Sequence, residues 1–145
     1  MAMTTSSRAL LRIGEVSAQA QLSVKTVRYY EERGLIQASR RSSGGFRLFD
    51  PAVLTRLHFI RRSQALGLSL QDIQDILDIA DRGSRPCKNV RQKFQAKIEA
   101  IDNQMEQLQQ LRAQLLELID GADQTEHLEA DICPIIEHTP PLARN

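Results

Sequence analysis

Three observations predict a mainly α-helical chain. Aromatic residues make up only 4% of the sequence and tryptophan is absent, so a large single core is disfavoured and packing on Leu and Ile takes its place. Apolar residues return every seven positions at Cys87, Phe94, Ile101, Leu108 and Leu115, the repeat of a long helix with a seam. Upstream, short apolar-patterned stretches are separated by helix-starting and helix-ending residues, Ser23, Gly34, Asp50-Pro51, Gly67 and Ser69. A length of 145 residues allows one compact domain, or a small domain carrying an extended element.

Taken in order, residues 1–11 read as a frayed arm. Ile13 to Gln21 forms a short helix with Ile13, Val16 and Ala20 inward. Ser23 is a good N-cap for a second helix, Val24–Arg33, because its hydroxyl can accept from an early backbone N–H. Val27 and Tyr30 share the inner face of that helix, which leaves Lys25, Thr26, Arg28 and Tyr29 outside or on its flanks. Gly34 ends it. Two short segments, Leu35–Ala38 and Phe46–Phe49, then flank a basic loop containing Arg40, Arg41, Gly44 and Gly45, which reads as a two-stranded wing.

Asp50-Pro51 opens a helix to about Ala65, striped with Val53, Leu54, Leu57 and Ile60. Ser69 with Asp72 resembles a capping box and restarts a helix to about Asp81, with Leu70, Ile73, Ile76, Leu77 and Ala80 inward. His58 has no acidic or thiol neighbour and reads as structural. Arg82 to Arg85 is a joint. The longest helix runs from Pro86 to about Asp120, roughly 50 Å at 1.5 Å per residue. Ile98, Met105 and Ile119 form the second column of its heptad. No other long helix is present to cover this seam, so its partner is a second copy of the chain. The tail from Ala122 is an acidic loop followed by a short apolar turn, Ile132-Cys133-Pro134-Ile135-Ile136.

Charge separates the chain into unlike halves. Residues 1–68 carry 11 Lys and Arg against 4 Asp and Glu, net +7, and residues 69–145 carry 8 against 14, net −6. A helix with Lys25 and Arg28 near its N-terminus, beside a basic hairpin, suits a DNA groove and its flanking phosphates. No P-loop, dinucleotide-binding glycine pattern, zinc-protease motif or nucleophile elbow is present. A thiol enzyme built on Cys133 and a histidine lacks a positioned third residue. No apolar run is long enough for a signal peptide or a membrane span. A cytoplasmic protein with two reduced cysteines, Cys87 and Cys133, is therefore expected.

The stretches IGEVSAQAQLSVKTVRYYEERGLI, GGFRLFDP and LHFIRRSQALGLSLQDIQDIL are similar to the DNA-binding half of the MerR family of transcription regulators, over residues 12 to 80. The resemblance implies a homodimer on double-stranded promoter DNA that adjusts an over-long promoter spacer for RNA polymerase. It also implies DNA contacts from Thr26, Arg28, Tyr29, Gly45 and Arg47. Lys25, Arg41 and the wing-tip residue Phe46 join them, and Arg61 or Arg62 adds a phosphate clamp. The family usually has tyrosine where Phe46 stands.

Metal-sensing members of the family place one ligand cysteine at the start of the dimer helix and others in the loop after it. A cysteine at the position of Cys87 goes there with divalent ions. Both cysteines lie beside a proline at an expected helix start, where the helix dipole favours the thiolate, the form that binds metal or reacts with electrophiles. In an antiparallel dimer Cys87 of one chain meets the Cys133 loop of the other. A further loop cysteine of the family pattern is missing here. His127, Asp123, Glu126, Glu129, Asp131 and His138 are substitutes, with His127 and then Asp123 as the chosen donors beside the two thiolates. Zinc is the first candidate, and cadmium, lead or another soft divalent ion the alternatives. A thiol-based redox or electrophile sensor, and a regulator with an organic effector or none, are the competing readings.

The expected organisation is a flexible arm (residues 1–11), a winged helix-turn-helix DNA-binding domain (12–81), a joint with an antiparallel coiled-coil dimerisation helix (82–120), and an effector loop and tail (121–145).

Overall fold

The computed structural model describes residues 9–140. The chain divides into two compact units, Met1–Phe94 and Gln95–Asn145. In the first, the elements run β1 (Leu11–Arg12), α1 (Ile13–Ala20), α2 (Val24–Glu32), β2 (Arg40–Arg41), β3 (Arg47–Phe49), α3 (Ala52–Ala65) and α4 (Leu70–Asp81). Helix α5 (Cys87–Asp120) starts in this unit and continues through the second, where α6 (Ala122–Thr125) and α7 (Pro134–Glu137) follow. Among the described residues, no helix is long and apolar enough to cross a membrane.

The helix boundaries follow from local chemistry. The Ser23 hydroxyl accepts from Thr26 N at 3.1 Å, satisfying one of the amides that a helix start leaves without a partner. Asp50 Oδ1 does the same for Ala52 N at 2.8 Å. At α4 the capping box is complete, with Asp72 N donating to Ser69 Oγ and Ser69 N to Asp72 Oδ2, each at 3.1 Å. Gly34 takes φ +77°, and Leu35 N donates back to Tyr30 O at 2.9 Å. That closes α2 with a left-handed residue that glycine adopts without a Cβ clash.

The core of the first unit gathers inward positions from each of its helices, although Ala80, expected inward near the end of α4, is exposed. Val16, Val27, Leu35, Ile36, Phe49, Leu57, Ile60, Ile73 and Ile76 are fully buried in it. Tyr30 is also buried and donates its hydroxyl to Gln64 Oε1 at 2.7 Å; burial raises its pKa above the usual phenol value, against the nearby Arg61 charge. His58 is exposed rather than structural.

The wing differs from the expected one. Leu35 and Ile36 are both buried, whereas successive residues of a half-buried strand would alternate, so Leu35–Ala38 is an irregular turn serving the core. The strand is instead Arg40–Arg41, paired antiparallel with Arg47 and Leu48. Leu11, expected in the frayed arm, is the start of a third strand, with Leu11 opposite Phe49 and Arg12 opposite Leu48. The sheet order is β1-β3-β2. The arm's residues 1–8 lie outside the described residues.

At the far side of the unit, Arg56 donates from Nε to the buried Leu35 carbonyl at 2.6 Å and through both terminal nitrogens to Asp81, at 2.7 and 2.9 Å. Lys93, in the second turn of α5, lies 3.3 Å from Asp72 and 3.1 Å from Asp75. Val90 and Phe94 pack against the core of the first unit, so Phe94 belongs there and not to the open seam. Beyond it the seam is bare in a single chain, with Ile98, Ile101, Met105, Leu108, Leu115 and Ile119 all exposed.

Removing the Arg56 fork leaves the Leu35 carbonyl buried without a partner. Arg56→Ala should cost about 2 kcal/mol in urea unfolding, and Asp81→Asn under about 1 kcal/mol, because Asp81 is half exposed. Arg56 holds the Asp81 pKa below the ordinary carboxylate range. Hydrogen bonds from Ser69 and Lys93 do so for Asp72, and from Gln71 and Lys93 for Asp75. A depressed carboxylate contributes stability above its unfolded pKa and loses it as pH falls through the folded value. Acid titration should therefore destabilise the wild type below about pH 4, and less so an Asp81→Asn variant.

Candidate nucleic-acid interface and cysteine loop

The outer face of α2 is built by the burial of its inner face. With Val27 and Tyr30 fixed in the core, Lys25, Arg28 and Tyr29 are left exposed. Thr26 is half buried and its hydroxyl lies 2.8 Å from Ser23 Oγ. That contact ties it into the helix cap.

The wing stands beside this helix. Its tip turns at Gly45, φ +82°, where Gly45 N donates to Ser42 O at 2.9 Å and Arg41 Nη1 to Gly45 O at 3.0 Å. Phe46 follows and is 62% exposed, an unusual degree for an aromatic residue. Arg47 donates from Nε to Glu31 Oε1 at 2.6 Å. This pair joins wing to helix α2 across 16 positions of sequence, and no local pattern could have revealed it. Because Nε makes the bond, the two terminal nitrogens of Arg47 remain available as donors.

Arg61 donates from Nη1 to Ala20 O at 3.1 Å, closing the end of α1. With His58 and Arg62 it lines a shallow cleft of about 270 Å³. The expected clamp is thus partly engaged within the fold, while Arg62 beside it is exposed. Two residues absent from the sequence-based set stand at this surface: Glu31, and Arg12, whose guanidinium carbon lies 5.7 Å from the Phe46 ring centre. Arg12 was hidden because a two-residue strand carries no periodicity to mark its facing.

In the second unit the loop bearing Cys133 is organised by one carboxylate. Glu137 accepts from the backbone amides of Asp131, Ile132 and Cys133 at 3.2, 3.1 and 2.8 Å. The Ile132 amide is the main reason that its pKa falls below the ordinary value, with Cys133 and Asp131 adding to it. These three amides precede α7, so the carboxylate closes the turn that leads into Cys133. His138 Nε2 lies 3.0 Å from Glu129 O, so this imidazole serves the loop. Both cysteines are free, Cys87 exposed and Cys133 half buried. His127 and Asp123 are exposed. Among the described residues of a single chain, no three His, Cys, Asp or Glu side chains come close enough to hold an ion.

Comparison with known proteins gives one consistent answer. The family model for MerR HTH family regulatory proteins matches residues 11–79, and that described as MerR, DNA binding matches residues 54–118. The mercuric resistance operon regulatory protein of Bacillus cereus is 34% identical over 87% of this chain and 94% of its own length. The HTH-type transcriptional regulator ZntR of Escherichia coli is 33% identical over 88% of this chain and 91% of its own. The crystal structure of the transcription regulator PbrR691 from Ralstonia metallidurans CH34 in complex with lead(II) is 35% identical. It superimposes with a TM-score of 0.72, covering 88% of this chain and 97% of the other.

The Glu31–Arg47 strut is testable apart from any ligand. In a double-mutant cycle of Glu31→Gln and Arg47→Met, urea unfolding should report a coupling of about 0.5–1 kcal/mol, as for a half-exposed ion pair. Additive effects would mean that wing and helix are held by packing alone.

Proposed function

We propose, on the premise that this chain belongs to the MerR family of DNA-binding transcription regulators, that it works as a homodimer on a pseudo-palindromic promoter element and answers to a divalent soft metal bound between subunits. It is a regulator and not an enzyme. The observation that carries the reading is the exposed cationic face of α2 set beside a wing whose Arg47 is tied to that same helix. Lys25, Thr26, Arg28 and Tyr29 enter the major groove from α2. Arg41, Gly45, Phe46 and Arg47 follow the adjacent backbone from the wing, and Arg61 with Arg62 takes a flanking phosphate.

Two copies are joined along the bare seam of α5, whose apolar side chains have no cover within one chain. An antiparallel pairing sets the N-terminal end of one α5 beside the loop after the other. Cys87 of one chain and Cys133 of its partner then supply two thiolates, with His127 and Asp123 as further donors. Similarity to regulators of mercury resistance and to a lead-bound regulator supports a soft metal, and zinc is the first choice for a thiolate and imidazole set. Such an ion would supply a cross-link between subunits. What the chain does with it is change the relative pose of two DNA-binding units, biasing a DNA deformation energy of about a few kcal/mol at a promoter engaged by RNA polymerase.

Two experiments test this. Ile101→Asp or Leu108→Asp places an unpaired charge in the seam and should give monomers in sedimentation that no longer hold the operator. A wild type that sediments as a monomer at micromolar concentration overturns the dimer. For the metal, Cys87→Ser and Cys133→Ser homodimers should each lose most zinc affinity in anaerobic titration. A heterodimer with one substitution on each chain retains one site with both thiolates and one with neither. It should bind with near-native affinity at about half the stoichiometry. Zinc binding unchanged in the doubly substituted homodimer overturns the thiolate site. Reversible Cys87–Cys133 cross-linking that alters promoter output would favour redox sensing instead.

A further inference from the structure

The cleft between α1, α2 and the wing contains three arginines, only two of which the DNA-binding reading uses. Arg12, Arg28 and Arg47 line it together with Gly14, Gly45 and Phe46, around a volume of about 430 Å³. Arg47 is tied to Glu31, but among the described residues neither Arg12 nor Arg28 has a carboxylate within ion-pair distance. One acidic residue, Glu15, also lines the cleft, and its carboxylate accepts from the Arg12 amide at 3.3 Å. Three arginines against two engaged carboxylates, Glu15 and the Glu31 paired with Arg47, leave Arg12 and Arg28 as the unpaired charges of the cleft and make it attractive to an anion.

Its walls are also open where a ligand backbone would approach. A Cβ placed on Gly14 or Gly45 would meet nothing within 4 Å. Helix α1 begins at Ile13, so its first amides add a partial positive charge on the same side. The position of Arg12 is set from two directions. Its backbone pairs with Leu48 in the β1–β3 ladder, and its guanidinium lies over the exposed Phe46 ring. A guanidinium lying over an aromatic face keeps its in-plane N–H donors directed outward.

We propose that Arg12, supported on the Phe46 ring, is a further DNA-binding residue that takes a backbone phosphate in this cleft. The proposal rests on the DNA-binding reading above and extends it to a residue outside its contact set. It also gives Phe46 a definite part. The ring works by holding an arginine and needs no hydroxyl of its own. The contact is to a phosphodiester and carries no sequence information, so it contributes to position and affinity alike on any duplex.

The test is the salt dependence of binding to two duplexes of equal length, one enriched from a random pool and one scrambled. Full-length wild type and variants are compared, with thermal unfolding of each. Arg12→Ala should weaken both duplexes and make the log–log salt slope shallower by about 1. Arg12→Lys should restore most of the slope. Phe46→Leu should lose part of the affinity, and combining it with Arg12→Ala should add little, because the ring acts through the arginine. If Arg12→Ala keeps the wild-type slope while unfolding at a lower temperature, Arg12 is a structural stack and the proposal fails. Full additivity with Phe46→Leu would remove the ring's part. A wild type that shows no salt-dependent duplex binding would instead sink the DNA-binding reading beneath the proposal.

Discussion

The first unit depends on how the Leu35 carbonyl is satisfied. Helix α2 must end abruptly at Gly34 so that Leu35 and Ile36 can both turn into the core, and this leaves a main-chain acceptor buried outside any ladder. Arg56 reaches it from α3 and uses the rest of its guanidinium on Asp81 at the end of α4. A lysine could reach one of these partners but could not hold all three contacts from a planar fork. One side chain thereby fixes the exit of α2, the middle of the unit and the start of the joint. Lys93 extends the same logic past the joint by bridging to Asp72 and Asp75. The first two turns of α5 are thus fastened to the DNA-binding unit by charge as well as by Val90 and Phe94.

Much of this was readable from sequence because its signals are local. Ser23, Asp50, Ser69 with Asp72, Gly34 and Gly121 each act within a few positions, and each marks a helix end in the structure. The wing was less legible. Strands of two and three residues are too short for alternation to register, and β1 is defined only by a partner at Leu48 and Phe49. Phe94 fits the heptad as well as Ile101 does, and only the presence of a core beside it separates them. The same limit hid Arg12 and Glu31, whose partners Phe46 and Arg47 are remote in sequence. For the cysteines, the prolines beside them announced helix starts correctly. They could not reveal that Glu137 folds back over the amides ahead of Cys133.

The charge division along the chain acquires a physical sense from these contacts. Acidic residues of α4 are engaged by Arg56 and Lys93, while Lys25, Arg28, Arg33, Arg40 and Arg62 are exposed and have no carboxylate partner among the described residues. Net charge near neutrality, +1, therefore hides a basic surface rather than diluting it. In the proposed dimer two such faces are carried by one bare seam, and neither the DNA surface nor the thiol site is complete without the other copy.

The Glu137 cap bears on the thermodynamics of the metal capture proposed for this loop. A loop that must be ordered by its ligand surrenders part of the binding free energy to that ordering, about 1–2 kcal/mol for each backbone residue fixed. Here the turn from Asp131 to Cys133 is closed by a side chain from the same segment before any ligand arrives. The conformational entropy of that turn is lost during folding, and the Cys133 thiol is presented from a preorganised frame. For the proposed metal, capture at this loop would then resemble docking onto a rigid receptor more than coupled folding and binding, with a correspondingly small heat-capacity change.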